Sequence, residues 1–215
     1  MHFNLNKVIP AILADRSSVG ISGIWGENIE WRKGDFIKIT APSGTGKTTL
    51  VHLLYGLRKD YAGNILYDGK DIQLLTPNEL ALNRQLHWSI VFQDLRLFPN
   101  LTARENIELK RVLQSPIVAA EQINQMADQL GVLAILDQQA KHCSYGEQQR
   151  VCIIRALMQP FNFLIMDEPF SHLDIANKKI AASLIEVECK KRNAGLIITD
   201  LDKDEHFDYQ VSLNL

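Results

Sequence analysis

The sequence predicts an α/β fold in which a phosphate-binding loop joins a strand to a helix, and three observations predict it. Residues 41 to 49 read Ala-Pro-Ser-Gly-Thr-Gly-Lys-Thr-Thr, between the strand-like run Phe36, Ile37, Ile39 and the helix-like run Leu50-Val51-His52-Leu53-Leu54. Phe161 to Met166 form a stretch that ends in Asp167-Glu168, the pattern of a strand buried in a parallel sheet with carboxylates at its ligand-binding end. From residue 146 onward helical and strand patterns alternate, as in an α/β layer.

The elements follow in order. Short β-prone runs at Phe3 to Ile9, Ile21 to Trp31 and Phe36 to Thr40, broken by Gly20, Gly23, Gly26 and Gly34, predict an antiparallel sheet leading into the loop. A helix is expected near 47 to 57, then a hairpin over Gly63 to Ile72 turning at Asp68-Gly69. Leu86 to Phe92 reads as a strand. Between Thr102 and about Leu136 the apolar positions Ile117, Ala120, Ile123, Ala127 and Leu130 recur at three and four, with Pro116 near a helix start, so a helical lobe is inserted there. Helix 146 to 158, strand Phe163 to Met166, helix 174 to 192, strand Leu196 to Thr199 and strand Tyr209 to Leu213 complete the chain.

Length and composition bound the function. At 215 residues and 46% hydrophobic composition the chain suits one nucleotide-binding domain. With 23 basic against 25 acidic residues the formal charge is -2, which supplies no field to draw in nucleic acid or an acidic membrane surface. Cys143, Cys152 and Cys189 form no CxxC pair, as expected of reduced intracellular thiols. No stretch approaches the roughly 20 apolar residues that span a bilayer, so a membrane role requires a partner that supplies the span.

The loop has a specific chemistry. Gly44 and Gly46 let successive N–H groups turn inward on an anion, helped by the positive end of the following helix. Pro42, Ser43, Thr45 and Thr49 complete the cradle, Lys47 reaches the β and γ phosphates, and the Thr48 hydroxyl is placed to ligate magnesium. Ala41 stands where the motif's first Gly belongs, which is tolerable at negative φ. Asp167 is expected to hold the magnesium shell. Glu168, on the opposite side of an extended chain, is expected to polarise the attacking water.

Between these motifs lies Cys143-Ser144-Tyr145-Gly146-Glu147-Gln148-Gln149-Arg150. It resembles the signature stretch of ATP-binding cassette (ABC) proteins, Leu-Ser-Gly-Gly-Gln/Glu-Gln-Gln-Arg, and the resemblance covers nearly the whole chain in the expected order. Val91-Phe92-Gln93-Asp94 looks like that family's glutamine loop, with Gln93 at the catalytic metal and at the joint to the helical lobe. Ser171-His172-Leu173-Asp174 looks like the loop that crosses to a second subunit. The resemblance implies a P-loop NTPase core with an N-terminal antiparallel β-subdomain and an inserted α-helical subdomain. Residues 1–92 and 143–215 would form the core and β-subdomain and 93–142 the helical subdomain of a single domain.

It also implies ATP and Mg2+ as ligands and a head-to-tail pair, of two identical chains or with another cassette. Ser144, Gly146 and Glu147 would bind the γ phosphate of the nucleotide held by the partner. Integral membrane permease subunits would dock in a groove beside the glutamine loop, where Phe92, Leu97, Phe98 and Leu101 either line the groove or simply pack. The protein would sit on the cytoplasmic face of the cell membrane. The run Phe92 to Ile107 and the short helical lobe look similar to the lipoprotein-releasing and macrolide-export branch.

Three positions depart from the family pattern. Tyr145 replaces the signature's first Gly, and Cys143 its Leu. Asp200 stands where the family places a His that hydrogen-bonds the γ phosphate, and an ionised carboxylate has only acceptors to offer. No aromatic occupies Arg16 to Val19, where the family often stacks adenine; Arg16 is the candidate there, and Trp25 and Trp31 read as sheet packing. Two functions fit: an ATPase subunit driving separate membrane proteins, slowed by Asp200, and a nucleotide-gated interaction module with little hydrolysis.

Overall fold

The computed structural model describes residues 1–14, 22–202 and 204–215. The Arg16 to Val19 reading therefore lies outside the described residues. In chain order come β1 (His2–Pro10), β2 (Asn28–Arg32), β3 (Phe36–Thr40), α1 (Lys47–Leu54), β4 (Tyr61–Tyr67), β5 (Lys70–Asp71), α2 (Pro77–Leu86) and β6 (Trp88–Val91). Then follow α3 (Ala103–Val112), α4 (Glu121–Gln129), α5 (Tyr145–Leu157), β7 (Phe163–Asp167), α6 (Ile175–Arg192), β8 (Gly195–Asp200) and β9 (Val211–Asn214).

Two sheets divide the strands. One is antiparallel in the order β2-β1-β4-β5; the other has the order β6-β7-β8-β3-β9 and every described pairing in it is parallel. Strand β3 therefore does not belong to the antiparallel sheet that the first forty residues suggested. Phe36, Ile37, Lys38 and Ile39 are all buried, because β3 lies between two neighbours and is covered on both faces, as parallel strands are. The Ile21 to Trp31 run also shortens to Asn28–Arg32. Its earlier part turns at Ser22, whose hydroxyl accepts the Ile24 and Trp25 N–H groups at 3.0 and 2.9 Å.

Alternation along the parallel strands sends side chains to two cores. Phe163, Ile165, Ile197, Ile37 and Ile39 face α1 and the antiparallel sheet, whereas Leu164, Met166, Leu196, Ile198 and Phe36 face α5 and α6. Trp31 is fully buried in the first core and Trp25 is 3% exposed beneath the phosphate loop, so both pack as expected.

Helix α2 was not anticipated. Thr76 caps it with the reciprocal pair Thr76–Glu79, and Pro77 occupies its first position, both recognisable start signals. It ends at Leu86, so the following strand begins at Trp88. In the helical segment α4 starts at Glu121, five residues past Pro116, and buries Ile123 and Ala127 while Ile117 stays 54% exposed. The hairpin turns at Asp68-Gly69, both with positive φ (48° and 79°), as a two-residue primed turn requires. Among the described residues no helix is long and apolar enough to cross a membrane.

Candidate functional site

The phosphate loop leaves β3 at Ala41 and enters α1 at Lys47. Gly44 and Gly46 have φ of 80° and 110°, and Ala41 is not among the positive-φ residues, which is why its methyl is accommodated. At Gly46 the demand is steric as well, since a Cβ would lie 2.8 Å from the Leu13 side chain and 3.3 Å from the Trp25 ring. The Thr45 hydroxyl donates to the Pro42 carbonyl at 2.8 Å and steadies the turn.

Four side chains close a network beside the loop. Lys47 Nζ donates to the carbonyls of Ala41 (2.8 Å) and Pro42 (3.1 Å) and lies 3.4 Å from Glu168 Oε1. Glu168 Oε2 accepts from the Gln93 amide at 3.2 Å, and Gln93 Oε1 accepts from the Thr48 hydroxyl at 3.4 Å. The loop (Lys47, Thr48), the segment after β6 (Gln93) and the segment after β7 (Glu168) thus meet at the carboxyl end of the parallel sheet, where ligands bind in open α/β sheets. A cavity of about 200 Å³ opens there, lined by Ser43, Gly44, Gly46, Lys47, Thr48, Thr49, Gln93 and Glu168, with Ile12 and Leu13 at its apolar edge.

The two adjacent carboxylates separate differently from the extended-chain expectation. Strand β7 ends at Asp167, and Glu168 is left-handed with φ 48°. That conformation costs a non-glycine residue of order 1–3 kcal/mol, and hydrogen bonds to its N–H and its carbonyl hold it. The Glu168 N–H donates to the Thr199 carbonyl at 2.9 Å, and the Glu168 carbonyl accepts from Gln149 and Ser171, both at 3.2 Å. Asp167 is 1% exposed and accepts from the Thr199 hydroxyl at 2.6 Å. It stands behind the cavity wall, not on it.

Ser144, Gly146 and Glu147 form the first turn of α5, off the wall of this cavity. Ser144 caps the helix and closes a reciprocal pair with Glu147, whose carboxylate accepts from both the Ser144 hydroxyl and N–H at 2.7 Å. Those bonds hold the Glu147 carboxyl below its ordinary range, the hydroxyl contributing most. Tyr145 turns its hydroxyl to the Gln93 carbonyl at 3.0 Å and its ring to His172.

Asp200, at the end of β8, does not reach the cavity. Its carboxylate lies 3.2 Å from Lys38 Nζ, a 2% exposed cation on β3 that also pairs with Asp204. Burial alone would raise the Asp204 carboxyl, but bonds from Lys38, the His206 N–H and the Tyr209 hydroxyl outweigh it and hold the carboxyl low. Lys38 escaped the sequence reading, although a lysine inside Phe36-Ile37-Lys38-Ile39 announces a buried partner. Gln149, bound to both Glu168 and His172, was missed as well. Phe92 and Phe98 border a separate cavity of about 190 Å³ with Tyr55, Arg96, Lys110 and Arg155, whereas Leu97 packs on the core and Leu101 is not on that wall. Burial, reinforced by Arg155 and Arg84, pushes the Lys110 ammonium down to about 8.

The chain is similar to known proteins over most of its length. The family described as "ABC transporter" matches residues 26–171. The chain is 34% identical over 177 residues to the lipoprotein-releasing system ATP-binding protein LolD of Buchnera aphidicola, covering 81% of this chain and 77% of that one. It is also 34% identical to the macrolide export ATP-binding/permease protein MacB of Nitrosomonas europaea, covering 83% of this chain but only 27% of that longer protein. Among solved structures, the dimeric post-hydrolysis state of the ATP-binding cassette MJ0796 bound to ADP and Pi superposes with a TM-score of 0.76 at 25% identity, covering 93% of this chain and 88% of the other. The chain belongs to the ABC transporter family.

Proposed function

We propose that this chain binds and hydrolyses ATP with Mg2+ as one subunit of an ABC transporter, pairs head-to-tail with a second cassette, and drives separate membrane subunits from the cytoplasmic face of the membrane. The observation that carries the reading is the network Lys47–Glu168–Gln93–Thr48 around the phosphate loop. Its parts have distinct tasks. Lys47 now donates to two loop carbonyls, and a phosphate oxygen is the stronger acceptor, so nucleotide draws the ammonium away from Glu168. That frees the Glu168 carboxylate to accept a proton from the attacking water.

The donor set fits magnesium. Thr48 Oγ1 and Gln93 Oε1 face each other at 3.4 Å, and magnesium prefers hard oxygen ligands completed by waters and phosphates. When bound it would neutralise charge on the β and γ phosphates. Asp167, oriented by Thr199, would act from behind these ligands. Ile12, 58% exposed at the cavity edge, offers the base an aliphatic face in place of an aromatic one. We read the chain as a single cassette domain, 93–142 being its helical subdomain, and Ser144 and Gly146 as facing the partner's nucleotide. Asp200 takes no part in contacting phosphate, and it is this that keeps alive the second reading of a nucleotide-gated module with little hydrolysis.

Steady-state ATP hydrolysis by the purified chain, beside Glu168→Gln, tests the reading. Turnover that falls on the order of a hundredfold or more in the variant, with ATP binding retained, is expected. Equal turnover in both overturns Glu168 as the base, and ATP-dependent pairing without turnover in the wild type selects the gated module.

A further inference from the structure

Tyr145 stands first in α5 and reaches back to the segment from which the helical insertion departs. Its hydroxyl donates to the Gln93 carbonyl at 3.0 Å, and its ring meets His172 edge-on with centroids 4.2 Å apart. One turn later, on the same face of the helix, Gln149 donates to the Glu168 carbonyl at 3.2 Å and accepts the His172 N–H at 3.1 Å. Gly146 between them permits the approach, since a Cβ there would lie 3.1 Å from the His172 carbonyl oxygen. The first turn of α5 thus fastens three segments that carry the site: those of Gln93, Glu168 and His172.

The Gln93 segment needs such fastening. Leu95 and Arg96 both have left-handed φ (58° and 49°), which is unfavourable for residues with a Cβ. Arg155, further along α5, holds their carbonyls at 2.6 and 2.8 Å, and Tyr145 holds that of Gln93. Residues 93 and 145 also flank the excursion that carries α3 and α4 between β6 and α5. The phenol hydroxyl closes the neck of that excursion, at a position where the family's signature has no side chain.

We propose that Tyr145 is a positioning residue, which fixes the Gln93 backbone so that the Gln93 amide stays between Thr48 and Glu168 and presents its oxygen to magnesium. The proposal rests on the ATPase reading above, because only there does Gln93 have a metal to meet. Tyr145 is 43% exposed, so the hydroxyl's effect is modest and a single-atom change isolates it.

Tyr145→Phe keeps the ring against His172 and removes only the hydroxyl. Two measurements are needed on the full chain: amide hydrogen exchange across residues 92–97 without nucleotide, and ATP affinity with and without magnesium. Exchange over 92–97 several-fold faster than in the wild type is expected, with α6 unchanged. The factor by which magnesium tightens ATP binding should fall several-fold, while metal-free affinity holds. Wild-type behaviour in both measurements overturns the proposal, and so does faster exchange with an unaltered magnesium factor, which would make Tyr145 merely structural. A wild-type chain whose ATP affinity ignores magnesium strikes the parent reading itself, a result that the wild-type titration tells apart.

Discussion

Lys38 Nζ lies 3.2 Å from Asp200 Oδ2, and this pair joins the strand that feeds the phosphate loop to the last residue of β8. Lys38 is 2% exposed and shares its charge with Asp204, whose other carboxylate oxygen accepts from the Tyr209 hydroxyl at 2.9 Å. The Asp200 backbone carbonyl in turn accepts the Ala41 N–H at 3.1 Å. Asp200 thus braces the loop's first residue with its backbone while its carboxylate is turned to a captive cation. The repulsion expected between that carboxylate and phosphate is removed by pairing and by direction.

Removing the cation strands two carboxylates in a largely buried place. Lys38→Met is expected to destabilise the fold by roughly 3–5 kcal/mol, the usual cost of breaking one side of a buried pair. Lys38→Met with Asp200→Asn should recover part of that loss. Denaturant midpoints of the wild type, both single variants and the double variant measure the coupling, and purely additive losses would refute the pairing.

The same cluster sets an acid limit. The Asp204 carboxyl is held below its ordinary 3.8 in the folded chain. A lowered folded pKa contributes stability that is fully present above the unfolded value and is lost as pH falls through the folded one. Melting temperature should therefore decline as pH drops from about 4 downward, and Asp204→Asn, less stable at pH 7, should decline less steeply over that window. Parallel acid limbs for the two proteins would mean that Asp204 does not carry the effect.

Lys47→Ala removes the one ammonium donor in the loop. A hydrogen bond to a charged partner contributes about 1.5–3 kcal/mol, so ATP affinity should fall roughly ten- to hundredfold or more. Lys47 now pairs with Glu168, and its loss leaves that carboxylate without a cation. Calorimetric titration of ATP into both proteins, beside their melting curves, separates lost binding from lost folding.

How much of this was legible depended on whether a residue's role is local. The loop declares itself because Gly44, Gly46, Lys47 and Thr48 must be close in sequence to wrap one phosphate, and Asp167-Glu168 because an apolar strand delivers them to the sheet edge. Caps such as Thr76–Glu79 were equally local and simply went unread. Lys38 and Asp200 are 162 positions apart, and only the parallel pairing of β3 with β8 brings them together. The left-handed turn at Glu168 was hidden for a related reason: besides the nearby Ser171, what pays for it is Thr199 and Gln149, supplied by two other stretches of chain. Tyr145 read only as a replacement for the signature's first Gly, because nothing local to it shows the Gln93 carbonyl one hydrogen bond away.

Asp200→His asks whether a missing donor limits turnover. Lys38 is an obligate donor with no acceptor to offer, so an imidazole placed beside it must turn an unprotonated nitrogen toward the ammonium. The other ring nitrogen then carries the proton, the donor form that a γ phosphate requires. The exchange should cost some stability, because Lys38 keeps only Asp204 as an anionic partner. It should raise turnover by an amount worth on the order of one to three kcal/mol of barrier, a single transition-state hydrogen bond. Single-turnover hydrolysis by the variant and the wild type, with enzyme in excess of ATP and magnesium saturating, reads the chemical step without product release. A faster variant shows that Asp200 holds back an otherwise complete site, whereas equal rates show that a donor at position 200, held beside Lys38, adds nothing to the step.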